Sequence, residues 1–146
     1  MQRQYTCLKA VVWLVCVYHV TLGIVLNAPV GIISSTLTQC LGATKMPDAS
    51  SLFAARMLGT YMLVFGIGMG IAAWNPVKNR ALLTVGVLLV TGRALQRLYQ
   101  ADDLYQALGV SPAANWATIA VLMGIAGALA FFRFKLWQAL KAEERS

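Results

Sequence analysis

Residues 52–74 read LFAARMLGTYMLVFGIGMGIAAW, an unbroken apolar run whose single charge is Arg56. A helix rises 1.5 Å per residue, so this stretch covers roughly 34 Å, enough to cross the ~30 Å hydrocarbon core of a bilayer. Two further stretches of the same kind lie at about residues 8–26 and 112–132; a third, 81–99, is fully apolar only to Gly92 and spans only if Arg93 sits below the membrane surface. In lipid every backbone N–H and C=O must be satisfied within its own segment, so such stretches are read as helices. The expected fold is therefore all-α, an integral membrane four-helix bundle forming one domain over residues 1–146.

The connecting pieces carry their own signals. Asn27 and Pro29 end the first span. Residues 30–42 are too short to cross, yet Val30, Ile33, Leu37 and Leu41 recur at helical spacing. Pro29 suits a helix start and Gly42 a helix end, which predicts an amphipathic helix lying in the interface. A loop with Lys45, Pro47 and Asp48 follows, and Ser50 or Ser51 is placed to cap the second span. The turn Trp74-Asn75-Pro76 ends that span, with Lys78 and Arg80 close behind. After the third span, Leu104, Tyr105 and Leu108 form a second short amphipathic piece closed by Gly109. Ser111-Pro112 then caps and opens the fourth span. The two halves share this layout, span, short piece ending Leu-Gly, span, and so read as a parallel repeat.

Composition fits the same picture. Hydrophobic residues make up 59% of the chain and charged residues 12%, against about 25% charge in soluble domains. The net charge of +7 is spread between apolar spans, so it points to lipid headgroups and topology rather than nucleic acid. Cys7, Cys16 and Cys40 show neither zinc spacing nor a disulfide framework. The first span is longer than the ~7–15 residue apolar core of a signal peptide, so a retained helix is expected. If both termini share one side, that side holds eight basic residues: Arg3, Lys9, Lys78, Arg80, Arg133, Lys135, Lys141 and Arg145. The other holds four: Lys45, Arg56, Arg93 and Arg97. The positive-inside rule then puts both termini in the cytoplasm.

Polar residues inside the spans are the candidate site. Arg93 lies roughly 9–12 Å below the end of the third span, and Arg97 shares its helix face four residues on. Arg56 falls on the same side of the membrane. An arginine at mid-membrane costs about 2.5–3.5 kcal/mol or more, so it needs a partner, water or a route to the interface. One reading is a pocket for an anionic or carbonyl-bearing ligand, such as a lipid headgroup or a quinone. The other is a structural network in which the arginines pair with Asp48, Asp102 or Asp103. His19, the single histidine, lies at a similar depth in the first span. It reads as an axial ligand to haem or chlorophyll, with Gly23 leaving room beside the ring, as a proton carrier, or as a neutral imidazole bonded to Tyr61 or a backbone carbonyl. No cofactor is otherwise expected.

Small residues mark helix packing. Gly59, Gly66 and Gly70 line the second span, and Ala120, Gly124 and Ala128 the fourth, at spacings that let backbones approach closely in lipid. No nucleophile–base pair or metal spacing is present, which argues against a hydrolase. No acid lies at a span centre, which argues against a cation-coupled transporter.

Four spans in this length, the Arg56-Met57-Leu58-Gly59 opening of the second span and the basic end of the third together resemble the small bacterial DoxX-like and BphX-like membrane proteins. The resemblance implies a bacterial inner-membrane location and an accessory role beside redox or degradation systems. The expected function is thus a non-catalytic accessory or scaffold subunit of a larger membrane assembly. Its expected partners are membrane lipids and other membrane subunits or a second copy. The alternatives are a binder or carrier of a quinone-like or lipid-like ligand at the arginine layer, and a haem- or chlorophyll-binding subunit.

Overall fold

The computed structural model describes residues 2–45 and 48–143. Pro47 of the loop and Arg145 of the charge count lie outside the described residues. Six helices appear among them: α1 (Gln2–Leu26), α2 (Val30–Leu41), α3 (Ala49–Trp74), α4 (Arg80–Tyr99), α5 (Ala101–Leu108) and α6 (Pro112–Glu143). Of these, α1, α3, α4 and α6 are long and apolar enough to span a membrane. The fourth span is longer than its apolar run implies. The helix continues eleven residues past Phe132, because nothing from Arg133 to Glu143 breaks it and no glycine or proline intervenes.

Helix ends follow local chemistry. The α2 cap is Pro29, and Gly42 closes it in the left-handed region at φ 64°, its N–H donating to Thr38 O and the next amide, Ala43 N–H, to Leu37 O. Gly109 repeats this at the end of α5, with φ 66° and its N–H on Tyr105 O. The cap of α3 is Asp48 rather than Ser50 or Ser51. Its carboxylate accepts the Ser51 N–H at 2.8 Å, so the helix begins at Ala49, ahead of both serines. At α6 the Ser111 hydroxyl accepts the Ala114 N–H at 3.3 Å, and Pro112 occupies the first turn.

Packing divides the bundle into two pairs. Helix α1 packs chiefly on α3, and α4 on α6; the contacts between α3 and α4, although these are joined by a tight turn, are lighter. Each pair comes from one half of the chain, as the shared layout of the halves implies. The α1–α3 pair is held by missing side chains. A Cβ on Gly23 would lie 2.8 Å from Gly59 O, and one on Gly66 would lie 2.8 Å from the Val20 nitrogen. A Cβ on Gly70 would meet Cys16 Sγ at 3.1 Å. These glycines therefore serve contact inside the chain. Gly23, read from sequence only as space beside His19, belongs to the same seam. On α6, in contrast, Ala120 and Gly124 are exposed, and nothing lies within 4 Å of a Cβ on Gly124.

One core, at the end bearing the α3–α4 turn, gathers Leu8, Val12, Met69, Leu83, Leu129 and Leu136. A second, at the end bearing α2 and α5, gathers Leu26, Ile33, Leu37, Met62 and Val110. Of the predicted stripe on α2, Ile33 and Leu37 are buried, whereas Val30 is exposed, and the Leu41 side chain lies outside what is described. The two short pieces are latched together: the Thr44 and Lys45 amides both donate to Leu108 O, at 2.9 and 3.2 Å, and Lys45 Nζ donates to Gln106 O at 2.7 Å.

Two outcomes are expected. Gly66→Leu should wedge α1 from α3 and destabilise the bundle by about 1–3 kcal/mol or more, whereas Gly124→Leu should leave stability unchanged; denaturant titration in mixed micelles measures both. The Ser51 side chain and then its amide hold the Asp48 carboxyl below the usual carboxylate range. A carboxyl depressed in the folded state stabilises at neutral pH and loses that contribution as pH falls through its folded value. Amide exchange at Ser51 should therefore quicken selectively below pH ~4, and should become pH-independent in this respect in Asp48→Asn.

Candidate functional site: a polar layer inside the spans

His19 is completely buried, at 0% exposure, on the α1 face turned toward the other spans. Its Nδ1 lies 2.8 Å from Val15 O, one turn back on the same helix. A carbonyl only accepts, so Nδ1 carries the proton and Nε2 the lone pair. The lone pair meets a guanidinium: Arg93 Nη1, from α4, donates to Nε2 across 3.4 Å. The imidazole is thus a neutral relay between an α1 carbonyl and an α4 cation. Phe65 of α3 and Tyr18 present edge-to-face contacts to the ring, with centroids 4.7 and 5.1 Å away. Tyr61, expected as a partner of His19, is 66% exposed and faces outward; the ring takes the backbone carbonyl instead.

One turn further along α4, Arg97 makes a reciprocal pair with α6. Arg97 Nη1 donates to Asn115 Oδ1 at 2.7 Å, and Asn115 Nδ2 donates back to Arg97 O at 3.2 Å. Asn115 is 5% exposed, the second buried polar side chain beside His19. Sequence reading passed over it. The signal was present, an amide one turn inside an apolar span, but its place after a cap and proline made it look like part of the helix opening. The layer thus ties α1 to α4 through His19–Arg93, and α4 to α6 through Arg97–Asn115.

The other expected members stand apart. Arg56 is exposed near the start of α3, where a long side chain reaches the interface. Asp48 caps α3, and Asp102 and Asp103 sit exposed in the first turn of α5. Among the described residues both half-buried arginines of the layer are bonded to neutral partners, an imidazole and a carboxamide. The layer therefore carries two positive charges with no carboxylate bonded to either.

A cleft of about 210 Å³ opens beside this layer, between the end of α4, α5 and the start of α6. Asn115 forms its polar wall, Tyr105 and Trp116 its aromatic walls, and Asp102 lies at its rim. Axial ligation of haem or chlorophyll by His19 would require Nε2 to give up Arg93. Among the described residues no three His, Cys, Asp or Glu side chains come together as a metal group. Comparisons with family models, characterised proteins and solved structures returned no match.

Removing either half of the Arg97–Asn115 pair strands a buried polar group, at a cost of about 1–3 kcal/mol. Asn115→Leu and Arg97→Met should each destabilise to that extent. The double variant should cost less than their sum by about 0.5–3 kcal/mol. Strict additivity in unfolding free energies would mean that the pair contributes nothing.

Proposed function

We propose that the chain is a non-catalytic accessory subunit of a larger membrane assembly, docking through the outer face of α6. The observation behind this is the contrast between its glycines. On α3, Gly59, Gly66 and Gly70 each relieve a contact with α1, whereas a Cβ on Gly124 or Gly127 of α6, both exposed, would meet nothing within 4 Å, as is also true at Gly68 and Gly92. A glycine within a helix costs about 0.5–1 kcal/mol relative to alanine. Two that relieve no contact within the chain, with Ala120 on the same exposed side, suit a surface made for another helix. The charge balance supports a bundle with both termini in the cytoplasm. The layout resemblance to DoxX-like and BphX-like proteins of bacterial membranes is in keeping with an accessory role.

The test is gentle detergent purification from native membranes, with mass spectrometry of the peak. A defined partner chain, or a second copy, should co-migrate with the wild-type protein and be lost in Gly124→Leu. That variant should melt like the wild type, since no internal contact changes. A wild-type monomer, or an assembly indifferent to Gly124→Leu, would sink the proposal.

A second reading rests on the cleft and the two positive charges behind it. An anionic or carbonyl-bearing amphipathic molecule would find aromatic walls and the Asn115 amide there, with Asp102 also in the lining and Arg97 one hydrogen bond behind Asn115. Under this reading a stoichiometric small molecule accompanies the purified chain and disappears in Arg97→Met, and no partner polypeptide is needed.

A further inference from the structure

At the opposite end of the bundle a second, wider groove of about 630 Å³ runs between α1 and α3 to the α3–α4 turn. We propose that it is a binding site for one anionic phospholipid, with an acyl chain along the groove and the headgroup at Lys78.

The shape of the groove follows from sequence. Ile67 and Ile71 are four apart on α3 and form one wall, each about half exposed. Trp13 of α1 and Trp74 at the end of α3 form the mouth. Gly70 lies between these walls and lines the trough where it meets the α1–α3 seam at Cys16. An apolar trough ending in two tryptophans is matched to acyl chain below and headgroup above, since indoles favour the interface.

The charge at the mouth is one-sided because the turn satisfies its own acceptors. Asn79 Nδ2 donates to Ile71 O at 3.2 Å and to Asn75 O at 3.1 Å, and Asn75 Oδ1 accepts the Lys78 N–H at 3.1 Å. The carbonyls that would give the end of α3 its negative pole are thereby partly occupied. The Lys78 side chain projects beyond them, exposed. Residues 49–101 contain no Asp or Glu, so no acid from the two helices flanking this turn, or from the turn itself, competes for that ammonium. A phosphodiester with a neutral or acidic headgroup complements this mouth. A zwitterionic choline headgroup would bring a second cation to a basic site.

The test uses the full chain with Trp116→Phe and Trp137→Phe, leaving Trp13 and Trp74 as the only tryptophans. It is reconstituted in vesicles containing brominated phosphatidylglycerol or brominated phosphatidylcholine, and tryptophan quenching is measured against lipid mole fraction. Quenching should favour phosphatidylglycerol about fivefold in relative association constant, the scale of one basic residue at a membrane surface. Lys78→Gln should abolish that preference while leaving phosphatidylcholine quenching and the melting profile unchanged. Lys135→Gln, which removes an exposed charge on the same side, should leave the preference intact. Equal quenching by the two lipids, or persistence of the preference in Lys78→Gln, would overturn the site. So would an equal loss in Lys135→Gln, which would assign the effect to surface potential alone.

Discussion

Where Gly23 faces Gly59, the backbones of α1 and α3 come into direct contact, with Gly59 O where a side chain on Gly23 would have to stand. In lipid there is no hydrophobic force to bring helices together, so this contact must come from close packing of small residues. It has consequences for the chemistry. The seam fixes the rotation of α1, and that rotation turns His19 inward between Phe65 and Arg93 instead of toward lipid. A bulkier seam would push α1 outward, and Arg93 would lose the acceptor it meets at depth. The polar layer is therefore supported by the glycine seam, although the two share no residue.

The layer accommodates two half-buried cations without burying anions. A carboxylate beside each arginine would neutralise it but would itself have to be desolvated. Neutral acceptors avoid that second cost, and each also ties two helices together. His19 can do this because Val15 O fixes its tautomer, and Asn115 can because its amide donates to the Arg97 carbonyl while its oxygen accepts from the guanidinium.

Much of this was legible in the sequence, and the reasons differ by residue. The four spans, both short helices and the two closing glycines follow from hydropathy, period and the left-handed preference of glycine, all of them local. The depth of His19 and Arg93 could be counted from helix ends, which is why they meet. What could not be read was which way each helix turns. Tyr61 and His19 appeared to share a layer, but Tyr61 lies on the outward face. The runs at Gly66 and Gly124 look alike as motifs, yet one is filled by α1 and the other is open. The Asp48 cap displaced Ser50 and Ser51 because three residues compete within one turn and only backbone geometry decides among them. Asn115 could be seen as an amide inside an apolar span, but its partner, eighteen residues away on another helix, leaves no local pattern.

The pairing of α1 with α3 and α4 with α6 also bears on how the chain is made. Synthesis proceeds from the N-terminus, so the glycine seam is complete in sequence once α3 has left the ribosome, before α4 exists. His19 must then wait, buried against Phe65 with an unfilled Nε2, until Arg93 arrives. The latch from Thr44 and Lys45 to Leu108 closes later still, across about sixty residues. The order of emergence gives the nascent protein a stable hairpin first, a charged helix that needs this hairpin second, and a clasp last. Arg93, costly in lipid alone, enters a membrane in which its acceptor is already waiting.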